Sequence, residues 1–166
     1  IAAIIAMNFI EPPIEDKKSN KEESYFKHIY DSSKYVITHE KVKAVVLYGA
    51  VFYIFYRVGF YFFSPYFEAV KIDVQYFGVL FAVFNIIAAL TSQNSHKIVK
   101  ITKSKTLTFL SSCMILSFAI LGFTKLWIGS FAILLQQVAR GLYSPVITKY
   151  LNKHIPSNKR ATIISL

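Results

Sequence analysis

Four long apolar segments dominate the sequence, and each is close to the length that a helix needs to cross a lipid bilayer. They span residues 44–64, 74–92, 106–124 and 126–147, and the second and third contain no charged residue. A helix of about 20 residues covers a hydrocarbon core about 30 Å thick. Because backbone N–H and C=O groups in lipid must be satisfied within the segment, we expect these runs to be helices. The sequence therefore predicts an all-α membrane protein, a polytopic transmembrane helix bundle.

The composition agrees with a membrane protein. Of the 166 residues, 54% are hydrophobic and 16% are aromatic, whereas a soluble domain is about 45–50% apolar. Nineteen basic and nine acidic residues give a net charge of +10, a balance that also occurs in nucleic-acid-binding proteins. Here the basic residues lie between the apolar segments, which is typical of topological charge bias. We therefore expect no nucleic-acid partner.

Both ends of the chain are apolar. Residues 1–10 have the composition of the last turns of a transmembrane helix, which Pro12 and Pro13 would end because proline lacks an N–H donor. Residues 161–166 have the composition of the start of another. The first ten residues have neither the basic start nor the cleavage site of a signal peptide. We expect an internal piece of a longer membrane protein, with the remaining helices of the same full-length chain as partners.

The distribution of lysine and arginine predicts the orientation. Fifteen of the nineteen lie in the loops 11–43, 93–105 and 148–160, which alternation of the helices places on one side, while only Lys71 and Lys125 lie in the connectors on the other side. The positive-inside rule puts the basic loops in the cytoplasm. We expect a multi-pass protein of the cell (plasma) membrane. Within 11–43, an amphipathic surface helix and a solvated linker both explain the pattern.

Two arginines, Arg57 and Arg140, lie inside predicted spans, near mid-depth. A charge at the bilayer centre costs at least about 2.5–3.5 kcal/mol even on the lenient insertion scale, so each should face a cavity or a partner. Contact with an anionic or polar substrate, or a charge pair that gates the path, would explain them. The structural alternative is snorkelling, or pairing with backbone carbonyls that a broken helix frees.

Further candidates for a solute path are the polar side chains of the spans. The candidates are Asn85, Gln136, Gln137 and Tyr143, and the spacing of Gln136, Arg140 and Tyr143 lets these three share one helix face. Hydrogen bonding between helices is the commoner role of such amides. The aromatic run of the first span could line a pocket for a bulky ligand or face lipid; it comprises Tyr48, Phe52, Phe55, Tyr56 and Tyr61.

Metal and cofactor chemistry is not expected. His39 and Glu40 begin like a zinc-protease helix, but Lys43 occupies the position of the second histidine. Cys113 is the only cysteine and lies within an apolar segment, so no thiol metal site can form around it. No aspartate or glutamate lies within the four spans, so a proton-coupling carboxylate would have to come from the rest of the longer protein.

One run of the fourth span is distinctive: RGLYSP, from Arg140 to Pro145. It is followed by YLN at 150–152, IP at 155–156 and RAT at 160–162, and the second span contains Phe77 and Gly78. Together with the alternation of short and basic loops, these motifs are similar to the tenth helix, the following loop and the eighth helix of bacterial drug-efflux-like members of the major facilitator superfamily. The resemblance covers essentially the whole chain.

This resemblance implies a partial major-facilitator fold, from the end of the sixth helix to the start of the eleventh. It implies a secondary active transporter that moves a small organic solute or drug by alternating access, outward, with two halves rocking around a central site. Gly141 and Pro145 would then serve as a helix hinge. One departure is the loop 94–100, NSHKIVK, which lacks the aspartate and arginine of the Gly-x-x-x-Asp-Arg-type pattern of the family, so charge-relay gating through this loop is not expected.

Two other classes of protein stay open: a membrane-embedded enzyme, and a non-transporting scaffold or sensor. An embedded enzyme needs a cluster of carboxylates, histidines or metal ligands near the end of a span. The four histidines are scattered over the predicted loops; they are His28, His39, His96 and His154. We therefore predict that the protein is not an enzyme, binds no cofactor, and has the lipid bilayer and a small-molecule substrate as partners.

Overall fold

The computed structural model describes residues 25–155, and this part of the chain is helical, without any strand. The α-helices are α1 (Tyr25–Thr38), α2 (Glu40–Ala69), α3 (Phe77–Gln93), α4 (Ser95–Thr102), α5 (Thr106–Phe123) and α6 (Ile133–His154). Short 3-10 helices, Val74–Tyr76, Lys103–Lys105 and Trp127–Ala132, lead into α3, α5 and α6. The predicted all-α class is confirmed. The predicted partial spans 1–10 and 161–166 lie outside the described residues.

Three segments are long and apolar enough to cross a membrane, namely Glu40–Ala69, Val74–Gln93 and Ser95–Phe123. They overlap the first three predicted spans. In Val74–Gln93, only 11% of the most apolar window is buried inside the protein. Such an apolar exterior is stable against hydrocarbon and unfavourable in water, because apolar surface is driven out of water. The structure is thus a polytopic transmembrane helix bundle.

The fourth predicted span, 126–147, has a different character. It begins as the 3-10 helix Trp127–Ala132 and continues as α6, which packs against α2, α3 and α5. Two glutamines of α6, Gln136 and Gln137, are fully buried. A helix that is covered by three protein neighbours can carry polar groups that would be unfavourable against lipid. The central position of α6 in the described bundle therefore explains why it is less apolar than its neighbours.

Two predicted non-helical stretches contain helix. The helix α2 continues through Pro65 to Ala69, into the predicted connector 65–73, and α4 lies within the predicted loop 93–105. Proline removes one intrahelical hydrogen bond, that to the carbonyl of Tyr61. Membrane helices tolerate this because neighbouring groups can satisfy the freed backbone. The positions of these segments relative to the membrane remain predictions.

Tyrosine hydroxyl groups connect α2 to the neighbouring segments. The Tyr48 Oη donates a hydrogen bond to the carbonyl oxygen of Leu107 in α5, at 2.8 Å. The Tyr66 Oη donates to the carbonyl oxygen of Thr124, just after α5, at 2.9 Å. Each half-buried phenol thus satisfies its hydroxyl group on a backbone carbonyl in α5 or just after it. The sequence did not indicate this bridging role.

The glycine of the RGLYSP run lets two helices approach closely. A Cβ at Gly141 would overlap the carbonyl oxygen of Ala88 in α3 and would lie 2.9 Å from the Cβ of Thr91. No glycine among the described residues has a positive φ, so Gly141 is needed for space and not for its backbone conformation. Small residues at such crossings are typical of helix packing in membranes.

The helix α6 is continuous from Ile133 to His154 and passes through both Gly141 and Pro145. The carbonyl of Gly141 has no helical donor four residues later, because Pro145 lacks an N–H. This local weakness is compatible with bending, and the hinge at Gly141 and Pro145 stays a prediction.

Candidate substrate pocket

A cavity of about 350 Å³ lies between the middle of α2 and the middle of α6. Four residues of α2 and three of α6 line it: Phe52, Tyr53, Tyr56, Arg57, Arg140, Tyr143 and Ser144. Their spacing of three or four residues places each set on one helix face. The cavity, which we call the arginine cavity, therefore brings both arginines of the predicted spans to the same site.

The guanidinium group of Arg140 is held by two amides. Its Nη1 donates hydrogen bonds to the Asn85 Oδ1 at 3.0 Å and to the Gln137 Oε1 at 3.3 Å. Asn85 is itself oriented, because its Nδ2 donates to the carbonyl oxygen of Phe81 at 2.8 Å. The guanidinium also lies over the Tyr56 ring, 5.6 Å from its centroid, within the range of a cation–π contact. Arg140 is thus half-buried and fixed by neutral groups from three helices.

Arg57 is exposed and is held less firmly. Its guanidinium carbon lies 5.9 Å from the ring centroid of Tyr53 and 5.5 Å from that of Tyr61, one turn before and one turn after it in α2. Its Nη2 makes one long hydrogen bond, 3.4 Å, to the Tyr61 Oη. All these partners belong to its own helix, so Arg57 can change rotamer without disturbing the contact between α2 and α6.

Tyr143 forms a fixed wall of the arginine cavity. Its Oη donates a hydrogen bond to the carbonyl oxygen of Gly49 in α2 at 3.0 Å. Its ring is nearly parallel to that of Phe52, with an interplanar angle of 8° and a centroid distance of 5.1 Å. The hydrogen bond and the stacking together fix the Tyr143 side chain, which lines the cavity.

Gln136 does not line the arginine cavity, although its spacing predicts a stripe with Arg140 and Tyr143. Its Nε2 donates a hydrogen bond to the Ser117 Oγ of α5 at 2.9 Å, and both side chains are fully buried. Its Oε1 is buried without a partner in the described part of the chain. The structure thus gives Gln136 the interhelix role that is common for such amides, and gives Asn85 a role in holding Arg140.

Two residues of the site, Tyr53 and Ser144, were not selected from the sequence, whereas Tyr56 belongs to the aromatic run and Gln137 to the polar candidates of the spans. A signal for Tyr53 was present, since it lies four residues before Arg57, the spacing at which an arginine can lie over an aromatic ring on the same helix. Gln137 was marked only as one of several polar side chains in the spans, with nothing to single it out as the partner of Arg140. It is adjacent to Gln136 and chemically identical, and only the rotation of α6 decides which of the two faces Arg140.

A second cavity, of about 290 Å³, lies between α2 and α5. Aromatic and aliphatic residues dominate its lining: Tyr48, Val51, Phe52, Phe55, Ser111, Met114, Ile115 and Phe118. Four of the five residues in the aromatic run of the first span therefore line at least one of the two cavities, Phe52 lines both, and Tyr61 lines neither. This second cavity contains no charged side chain.

Residues 25–155 contain no group of three or more histidine, cysteine or acidic side chains that could hold a metal ion. Within this part of the chain the arginine cavity is lined by two cations, hydroxyl groups and aromatic rings, without a carboxylate. Such a set can bind and orient a solute, and none of its groups is a strong nucleophile or general base at neutral pH.

These features define a class of protein: a multi-pass membrane protein with a partly polar cavity between its helices. Comparison with protein families identifies the family within this class, because the family model of the Major Facilitator Superfamily matches residues 1–166. The chain belongs to the Major Facilitator Superfamily. Proteins of this family are membrane transporters, so the chain is that of a membrane transporter. No curated protein and no solved structure matched the chain.

Proposed function

We propose that the chain forms part of a secondary active transporter that carries a small organic solute or drug across the cell membrane, outward, by alternating access. The observation that carries this proposal is the arginine cavity, which lies at the middle of two long helices that are in contact. Solute sites of secondary transporters lie near the bilayer midplane at the interface between structural repeats. The proposal places the loops 11–43, 93–105 and 148–160 in the cytoplasm, on the strength of their basic residues.

In this proposal α6 supplies the fixed part of the site and α2 the adaptable part. Arg140 and Tyr143 contact the solute from α6, and Arg57 contacts it from α2. Asn85 positions Arg140 through the 3.0 Å hydrogen bond. Bending of α6 at Pro145 would let the site open first to one side of the membrane and then to the other.

The test uses the intact transporter of which we expect this chain to be a part, reconstituted in proteoliposomes with a panel of organic solutes and imposed ion gradients. Arg140→Gln removes a charge from the arginine cavity, and Lys125→Gln removes a charge from an exposed residue that does not line it. Loss of one charge-assisted hydrogen bond, about 1.5–3 kcal/mol, predicts an increase in KM of about 10-fold or more for Arg140→Gln. The control variant should transport like the wild type.

Two results would contradict the proposal. One is the absence of any solute movement under every ion gradient tested. The other is unchanged transport in both Arg140→Gln and Arg140→Lys, which would make Arg140 a purely structural residue. The direction is tested with vesicles of both orientations, and accumulation on the cytoplasmic side would refute export.

A further inference from the structure

We propose that the solute bound in the arginine cavity is an organic anion with a flat aromatic part, and that Arg140 binds its acidic group. The inference rests on the proposed function, because it assigns a substrate class to the same cavity. Three features of the described residues support it: the charge balance, the donors that Arg140 has left, and the shape of the wall.

The charge balance of the arginine cavity favours an anion. Two guanidinium groups line it, and the groups that contact them in the described part of the chain are amides, phenols and aromatic rings, all neutral. The acidic residues of this part, Asp31, Glu40, Glu68 and Asp73, do not line the cavity. A cavity that is lined by one sign of charge and has walls of low dielectric constant concentrates ions of the opposite sign. A cationic solute would add a third positive charge to this site.

The geometry of Arg140 leaves donors for an acidic group. A guanidinium group carries five N–H donors. In the described residues its protein hydrogen bonds all start from Nη1, and end on Asn85 and Gln137. The hydrogens of Nη2 and Nε remain, and two parallel N–H groups on one edge are the arrangement that binds a carboxylate in bidentate fashion. Because Asn85 and Gln137 already fix the guanidinium, little side-chain entropy is lost when the anion binds.

The wall of the arginine cavity suits a flat apolar body. Four of the seven described residues that line it are aromatic, namely Phe52, Tyr53, Tyr56 and Tyr143, and the contacts of Tyr143 with Phe52 and Tyr53 hold these rings in place. Aromatic rings bind other aromatic rings through offset or edge contacts. The volume of about 350 Å³ falls within the range of small-molecule sites, about 300–1,000 Å³, and accommodates a solute of two or three fused rings. Arg57, which only its own helix holds, can move to contact the same anion.

The experiment compares three probes that share one ring system and differ in charge: 2-naphthoate, 2-naphthamide and 2-naphthylmethylammonium. Binding to the purified intact transporter is measured by isothermal titration calorimetry. A bidentate contact with a charged group predicts that 2-naphthoate binds at least about 10-fold more tightly than the amide, and that the ammonium probe binds most weakly. Lys125→Gln should preserve this order.

Two variants test the role of Arg140, with elution in size-exclusion chromatography as a check on folding. Arg140→Gln should reduce the preference for 2-naphthoate over the amide to about threefold or less, since the charge and the bidentate edge are both lost. Arg140→Lys keeps the charge and loses the planar fork, so it should retain a preference that is smaller than that of the wild type. An unchanged preference in Arg140→Gln would overturn the assignment of Arg140.

The outcomes separate this inference from the proposed function. If the intact protein binds and transports the amide or the ammonium probe in preference to 2-naphthoate, the anion assignment is wrong and the transporter proposal stands. If it transports neutral or cationic solutes from the wider panel and no anion, the anion assignment is likewise wrong and the transporter proposal likewise stands. If no solute moves under any gradient, both proposals fail.

Discussion

The close approach of α3 and α6 makes Gly141→Ala the sharpest test of how this bundle packs. The added Cβ would overlap the carbonyl oxygen of Ala88 and would lie 2.9 Å from the Cβ of Thr91. A backbone carbonyl and a Cβ atom cannot rotate away as the end of a flexible side chain can. The two helices must therefore separate, and the packing along their whole contact is weakened.

The expected loss in the free energy of unfolding follows from two opposing effects. Inserting a methyl group into a well-packed contact costs about 1–3 kcal/mol, while alanine gains up to about 1 kcal/mol over glycine in helix propensity. Because the obstruction at Gly141 is backbone, we expect the upper part of the packing range and a net loss of about 1–2 kcal/mol. At Gly78 and Gly122, an added Cβ meets no heavy atom within 4 Å. Gly78→Ala and Gly122→Ala are therefore matched controls that should be neutral or slightly stabilising.

The difference in stability is measured by thermal unfolding of the intact transporter in detergent. The readout is the fraction that elutes as a monodisperse peak after heating. Gly141→Ala should unfold at a lower temperature than the wild type, and both control variants at the same temperature or a higher one. Equal stability of Gly141→Ala and Gly122→Ala would refute the close packing derived from the structure. Full stability together with lost transport would instead favour the hinge predicted at Gly141.

Two further substitutions test hydrogen bonds between helices. Gln136→Met keeps the side-chain volume and removes the hydrogen bond to Ser117. It should lower the free energy of unfolding by about 0.6 kcal/mol, the average for such bonds in a membrane bundle, and should leave transport intact. A loss of transport with normal stability would show that Gln136 contacts the solute. Tyr66→Phe removes the hydroxyl group that contacts the carbonyls of Thr124 and Leu126, and should cost about 0.5–1.5 kcal/mol in thermal unfolding assays. Tyr76→Phe, at an exposed tyrosine, should change stability by less, and equal effects of the two substitutions would exclude a bridging role for Tyr66.

Much of the fold could be predicted from local patterns. The apolar runs 44–64, 74–92 and 106–124 indicated helices, and three membrane-length helical segments overlap them, since the length and the lack of charge of a segment decide whether it is stable in lipid. The helix ends were less predictable, as the continuation of α2 through Pro65 shows. Whether proline ends a helix depends on groups from other segments that can satisfy the freed carbonyl, and a single sequence does not identify these groups.

The candidate site, too, could be predicted from the sequence only in part. The cost of charge in hydrocarbon marked Arg57 and Arg140 as residues that need a polar surrounding, and the arginine cavity contains both. That the two share one cavity, and that Asn85 and Gln137 hold Arg140, depends on the contact of α6 with α2 and α3. No pattern within one helix contains this information.

What the sequence by itself determined is that the long apolar segments are helical and which residues are costly in a membrane, because both follow from free energies of transfer that act on each segment separately. What only the tertiary structure decided is the partner of each polar group: Gln136 turns to Ser117, Gln137 turns to Arg140, and Gly141 is used for close packing against Ala88. These choices depend on the rotation of each helix about its own axis. That rotation is set by the fit of one helix surface against another, and it exists only once the helices are in contact.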